Sequence, residues 1–209
     1  MVKLVCVVLT FLGACSASDE ADIRRIFERY RDAVATNNGK AAYAQIDRAS
    51  HAYYAEILDK TKFASPSECS SFSALDKLSV LLGRVQIPMK ELARLDGEDY
   101  FRYAVDHGWV SQVGDENVTI EKIDVNGAEA LLFIRRDGEV SPFPHIFRKE
   151  EGEWRLSLVD MFPIAEEAFQ KHLGRVGVEE QDYLFDTVEA AVGVRPTEQT
   201  WEAPLKRGD

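Results

Sequence analysis

Cysteine, histidine and positive charge are all scarce in this chain, and each shortage removes a class of function. Lys and Arg number 25 against 36 Asp and Glu, for a formal net charge of −11. Nothing resembles the Lys/Arg stripe that phosphate backbones require, so nucleic acid is not expected as a partner, nor is an anionic membrane surface on electrostatic grounds. The four histidines, His51, His107, His145 and His172, are scattered, and Cys6, Cys15 and Cys69 stand far from one another. No metal is expected, because ligands need clustered spacing. A Gly-rich phosphate loop and a nucleophile elbow are also missing, so no cofactor is expected. The apolar run Leu4 to Leu12 falls far short of the roughly 18 to 20 residues that span a bilayer.

That run is informative in its setting. Lys3 precedes it and Gly13-Ala14-Cys15-Ser16-Ala17-Ser18 comes after it, and a basic start, a short apolar middle and a small-residue end describe a cleaved export signal over residues 1–14. Leu12-Gly13-Ala14-Cys15 resembles the bacterial lipobox, in which the leader is cut just before a cysteine that already carries diacylglycerol. The resemblance implies a palmitate-type lipoprotein held to the membrane through Cys15 alone, stably once two or more acyl chains are attached. Ser16 stands where Asp signals inner-membrane retention, which points to the outer membrane facing the periplasm. The alternative is an ordinary signal cut after Ala17 and a secreted soluble protein. Either way Cys69 is the one thiol left free in the mature chain, and no intramolecular disulfide is expected.

Ser18 is placed to cap a helix, with Asp19, Glu20 and Asp22 in its first turn. Ile23, Ile26, Phe27, Tyr30, Ala33 and Val34 recur at three- and four-residue steps and predict one buried face, ended by Asn37-Asn38-Gly39. A second helix carries Ala42, Ile46, Ala49, Tyr53 and Ile57, with His51 off the stripe and solvated. Ser65 to Ser73 reads as a loop. Phe72, Leu75, Leu78, Leu81 and Leu82 mark a third helix stopped near Gly83, with another turn or two from Met89 to Leu95. Tyr100, Phe101, Ala104 and Val105 give a short helix, and Trp109 and Val110 join it to the strand region.

From Val118 to Val159 the chain predicts four antiparallel strands. Asn126-Gly127 and Asp137-Gly138 are two-residue hairpin signals of the type I′ kind, and Glu150-Glu151-Gly152-Glu153 makes the last turn. Pro142 and Pro144 leave two missing donors on one edge of the third strand, Val140 to Arg148, so that edge is unpaired there or the strand is bulged. Phe143, His145 and Phe147 share one face, and Trp154, Leu156 and Leu158 share a face of the next strand. Beyond Asp160, Ile164, Ala168, Phe169 and Leu173 lie on one helix and Tyr183 to Val192 on another. Trp201 marks a tail that docks on the domain.

Ile26 to Val34, Asn37 to Ala41, Val118 to Ala130 and the stretch from Phe147 through Trp154-Arg155-Leu156 resemble the nuclear transport factor 2-like superfamily. The resemblance covers about two thirds of the mature chain. It implies an α+β fold in which a curved antiparallel sheet is covered by N-terminal helices in a cone. Residues 15–161 form that domain, with a helical insertion at about 64–114, and 162–209 add a C-terminal helical extension and tail. The same resemblance implies a pocket between sheet and first helix, for which Tyr30, Tyr53, Trp109, Phe143, His145, Phe147 and Trp154 are the candidates, and allows a homodimer through the outer sheet face.

Isomerases of this fold need a carboxylate base with tyrosine and protonated-acid donors. Tyr30 matches the tyrosine, but Asp47 flanks its helix stripe and no acid stands mid-strand between Leu131 and Ile134. His145, flanked by aromatics, is the best single polar candidate, with Asp106 or Asp160 as carboxylates to be recruited in space. His107 and His172 fall near helix C-termini, where a cation caps. A good fold pattern joined to a poor catalytic set favours a non-catalytic domain that binds a small apolar ligand or an envelope protein. The alternative is a small isomerase or dehydratase using His145 with Tyr30.

Overall fold

A computed structural model describes residues 12–110 and 118–207, with side chains from residue 17 onward. Lys3, Cys6 and the leader up to residue 11 lie outside the described residues, and of Cys15 the backbone alone is described. The fold is α+β: a curved, open antiparallel sheet with helices before and after it. In chain order the elements are α1 (Leu12–Ala35), α2 (Gly39–Tyr43), α3 (Arg48–Phe63), α4 (Pro66–Ser70), α5 (Ala74–Gln86), α6 (Met89–Leu92) and α7 (Gly97–Asp106). Then come β1 (Val118–Asn126), β2 (Glu129–Arg136), β3 (Glu139–Val140), β4 (His145–Glu150) and β5 (Glu153–Ser157), and after them α8 (Phe162–Val176) and α9 (Glu180–Val192). The strands lie in the order β1-β2-β4-β5, with β3 also paired to β2. No helix among the described residues is long and apolar enough to cross a membrane.

The predicted face of α1 is the core: Ile23, Ile26, Phe27, Tyr30, Ala33 and Val34 are all buried against the sheet. Its start differs from expectation. The helix runs through Ser18 from Leu12, since Ala14 and Ala17 are good helix formers and no proline interrupts them. At its end Asn37 takes the positive φ, whereas Gly39 opens α2 with its amide on Asp106 Oδ1 at 2.7 Å. Gly39 is needed for space: a Cβ there would sit 2.5 Å from Arg102 Cα and 2.6 Å from its carbonyl oxygen. Backbone cannot yield as a side-chain tip can, so Gly39→Ala is expected to cost about 1–3 kcal/mol. Urea unfolding checks this, with Gly174→Ala, which meets nothing within 4 Å, expected to be neutral or stabilising.

The expected second helix is two. Between α2 and α3 the chain leaves the helix to pair with β5: Leu156 N donates to Gln45 O at 2.9 Å and Asp47 N to Leu156 O at 3.0 Å. Asp47 then caps α3 by accepting Ser50 N at 2.8 Å. The break rephases the buried stripe to Ser50, Tyr54, Ile57, Leu58 and Thr61, leaving Ala49 exposed and Tyr53 half-buried. His51 is not solvated; it stacks on Tyr43 at 4.0 Å, with Nε2 at 3.0 Å from the Tyr43 carbonyl.

Two further segments differ from their expected form. The Ser65 to Ser73 stretch contains α4, secured by a Ser65/Glu68 capping box, and its Cys69 is buried. The third helix ends at Gln86, shortly after Gly83 as expected, and that glycine makes room for the Tyr100 hydroxyl, which would lie 2.6 Å from a Cβ. The α8 helix passes Gly174 and stops at Gly177, whose φ is 66°. Trp201 docks as expected, packed against Phe185 on α9 at 6.2 Å.

In the sheet the hairpin registers are tight. Asp137-Gly138 and Glu151-Gly152 have paired positive φ values, 50°/85° and 52°/90°, the I′ pattern. At the first hairpin only Gly127 is positive and Asn126 belongs to β1, so that turn is not I′. The expected third strand is interrupted: β3 ends at Val140 and β4 begins at His145, with Ser141 to Pro144 outside the ladder. Missing proline donors at 142 and 144 explain the gap.

Candidate functional site

Alternation sets the inner face of the sheet. Ala130, Leu132 and Ile134 on β2 are buried, and Arg136 continues the same row. On β4, His145 pairs with Leu132 and Phe147 with Ala130, while Phe147 also faces Leu156 on β5. The α1 helix crosses this face from end to end. Near its start Asp19 Oδ1 accepts the Trp154 Nε1 proton at 2.9 Å and Lys149 Nζ at 2.7 Å. Midway Phe27 meets His145 edge-on at 5.0 Å, and farther along Arg31 Nη1 donates to the Val118 carbonyl at 3.5 Å.

His145 is therefore held between Phe27, Leu132 and the Arg136 row. Its Nδ1 is buried and has no hydrogen-bond partner among the described residues. Burial, and after it the Arg136 charge, pushes its pKa down from 6.5 to about 4, so the ring is neutral near pH 7. Among the described residues no carboxylate contributes to that shift. The acids considered as recruits are engaged elsewhere: Asp106 accepts the Gly39 amide, and Asp160 Oδ2 accepts Arg148 Nε at 2.7 Å on the opposite sheet face. Tyr30 is 1% exposed, and burial alone raises its hydroxyl well above the ordinary value. It faces Tyr54, whose hydroxyl is raised by burial and then by Tyr30 and Tyr100. Its expected hydrogen-bond partner is not found among the described residues.

The seven pocket candidates thus divide. Tyr30, Phe147 and Trp154 are buried in the interior, with Phe147 on the same strand face as His145 and Trp154 at the other end of the sheet, where it bonds Asp19. Tyr53 belongs to the α3–α5 contact, donating to Asp76 Oδ1 at 2.7 Å and packing on Phe162 at 4.6 Å. Trp109 donates to Gln86 Oε1 and packs near Tyr103 at 5.4 Å. Phe143 is 48% exposed and does not share the row with His145 and Phe147, because the proline-flanked gap breaks the alternation. His107 caps α7, its Nδ1 2.9 Å from the Tyr103 carbonyl. His172 on α8 lies edge-on to Tyr183 at 5.3 Å. Among the described residues no group of His, Cys, Asp or Glu is placed to hold a metal.

A cleft of about 510 Å³ opens beside this row, lined by Ile134, Arg136, Val140, Ser141 and Pro142 with Asp137 and Glu139 at its rim. Arg136, whose charge also reaches His145, lines this cleft together with the Ser141 hydroxyl and a short apolar wall. Such a site can orient a polar group of a mostly apolar ligand. Arg136 is missing from the candidates read off the sequence, although the alternation Leu132, Ile134, Arg136 carries it onto the inner face. No known protein family, no curated protein and no solved structure matches this chain.

Proposed function

We propose that this chain is a member of the nuclear transport factor 2-like superfamily, exported and lipid-anchored at Cys15, that binds a small apolar ligand or an envelope protein without catalysing a reaction. The outer membrane, facing the periplasm, is its proposed location. One observation carries the non-catalytic reading: among the described residues, the buried imidazole of His145 has Arg136 as its charged neighbour and no carboxylate beside it. A base of pKa about 4 is poorly matched to proton abstraction near pH 7. The isomerase or dehydratase alternative draws on the same unpaired Nδ1, and it requires a carboxylate brought to His145 on binding. Cys15→Ala is expected to abolish incorporation of labelled palmitate and to move the protein from the membrane pellet to the soluble fraction. Label retained by the variant would sink the anchor.

A further inference from the structure

We infer that lipidated Cys15 and the folded domain form one rigid body, which lays the β4–β5 turn against a zwitterionic phospholipid headgroup layer and holds the Arg136–His145 end away from it. This rests on the lipid-anchor reading. With the leader cut before Cys15, α1 begins at Cys15 itself and runs without a break to Ala35. Asp19, four residues after the cysteine, is already fixed to the sheet by Trp154 and Lys149. One helical turn, about 6 Å along the axis, then separates the acyl chains from the domain. No flexible tether intervenes, so the attachment point dictates which end meets the bilayer.

That end is defined by the sheet. The turns at Gly127 and Gly152 lie side by side there, with Lys149 N donating to Ala128 O at 2.8 Å. The Asp137-Gly138 turn and Arg136 lie at the other end of β2, a strand of 8 residues and hence roughly 26 Å long. The chemistry of the near end fits headgroups that carry both signs. A cleft of about 280 Å³ is lined by Arg25, Arg29 and Arg155 together with Asp22 and Glu153. Beside it Arg48 pairs with Glu151 and lies 4.0 Å from Glu150. Guanidinium groups can meet lipid phosphates and carboxylates can meet lipid amines, whereas a strongly anionic surface would meet repulsion from the acids.

The test uses the full lipidated chain, with Cys69→Ala, in phosphatidylethanolamine/phosphatidylcholine vesicles carrying a headgroup energy acceptor. A donor fluorophore is attached at Glu153→Cys or at Glu139→Cys, both exposed positions. Transfer is expected to be several-fold greater from position 153 than from 139. Six Gly/Ser residues inserted between Ser16 and Asp19 should make the two equal. Equal transfer with the native junction, or greater transfer from 139, overturns the orientation when mass spectrometry shows lipid on Cys15. Absence of lipid on Cys15 overturns the anchor reading itself, and this inference with it.

Discussion

Replacing Arg84 with methionine is expected to lower stability by about 3 kcal/mol, the largest single effect we assign to a side chain outside the apolar core. The guanidinium is half-buried and donates only to carbonyls. Nε reaches Thr61 O at 2.9 Å, one terminal nitrogen reaches Ala64 O at 2.6 Å and Lys60 O at 3.1 Å, and the other reaches Trp201 O at 2.6 Å and Thr200 O at 3.3 Å. Lys60 and Thr61 belong to the last turn of α3 and Ala64 is its cap; the dipole is negative there and the Thr61 and Ala64 carbonyls lie past the last helical amide, whereas Lys60 O also accepts Ala64 N at 3.0 Å. Thr200 and Trp201 belong to the C-terminal tail. One residue of α5 thus satisfies the end of α3 and fastens the tail to it.

Methionine keeps much of the volume and removes every donor, leaving those carbonyls short of partners in a poorly solvated place. For a domain of this size the loss corresponds to a fall in Tm of roughly 6–12 °C. Trp201, buried in the parent, should shift its emission to the red as the tail loosens. Arg84→Lys should fall between, since one ammonium cannot span the same carbonyls. A methionine variant within about 0.5 kcal/mol of the parent, the range of ordinary surface substitutions, would show that the clamp is dispensable.

Acidification should expose His145. The unfolded chain takes up this proton below about pH 6.5, whereas the folded protein resists until about 4. Between those values the unfolded state binds more protons, so stability rises with pH across the window and falls as pH drops through it. At pH 4.5 the difference amounts to about 2.5 kcal/mol. His145→Leu removes the titration, so its stability should fall less than that of the parent between pH 7 and pH 4.5. Carboxylates titrate in both proteins and cancel in the comparison. Parallel pH profiles for the two would mean that the ring is solvated in the folded protein.

Much of the framework is legible from local pattern. The α1 stripe, the hairpin turns, the α9 helix and the docking of Trp201 all arise from side-chain periodicity or turn chemistry, which act over a few residues. The site is legible only in part. Periodicity puts Tyr30 and His145 on the inner side, where they lie, and the same alternation carries Arg136 onto that row. Phe143 falls elsewhere because two prolines end the ladder before alternation can carry it inward. Tyr53 and Trp109 also lie apart from the pocket, because both rings are apolar and partly buried, and burial does not say against which element.

The amino-acid sequence by itself determined most of the secondary-structure types, the α+β class and the pattern of one buried face per element. These depend on propensities and periods contained within each segment. Only the tertiary structure decided that α2 and α3 separate to feed Gln45 and Asp47 to β5, and that Gly39 and Gly83 serve close approach rather than chain termination. It also decided that Arg84 closes the end of α3, and that His145 lies beside Arg136 with no carboxylate next to it among the described residues. Each of these depends on a backbone carbonyl, a helix surface or a charge brought from a distant part of the chain, and no spacing along the sequence encodes that distance.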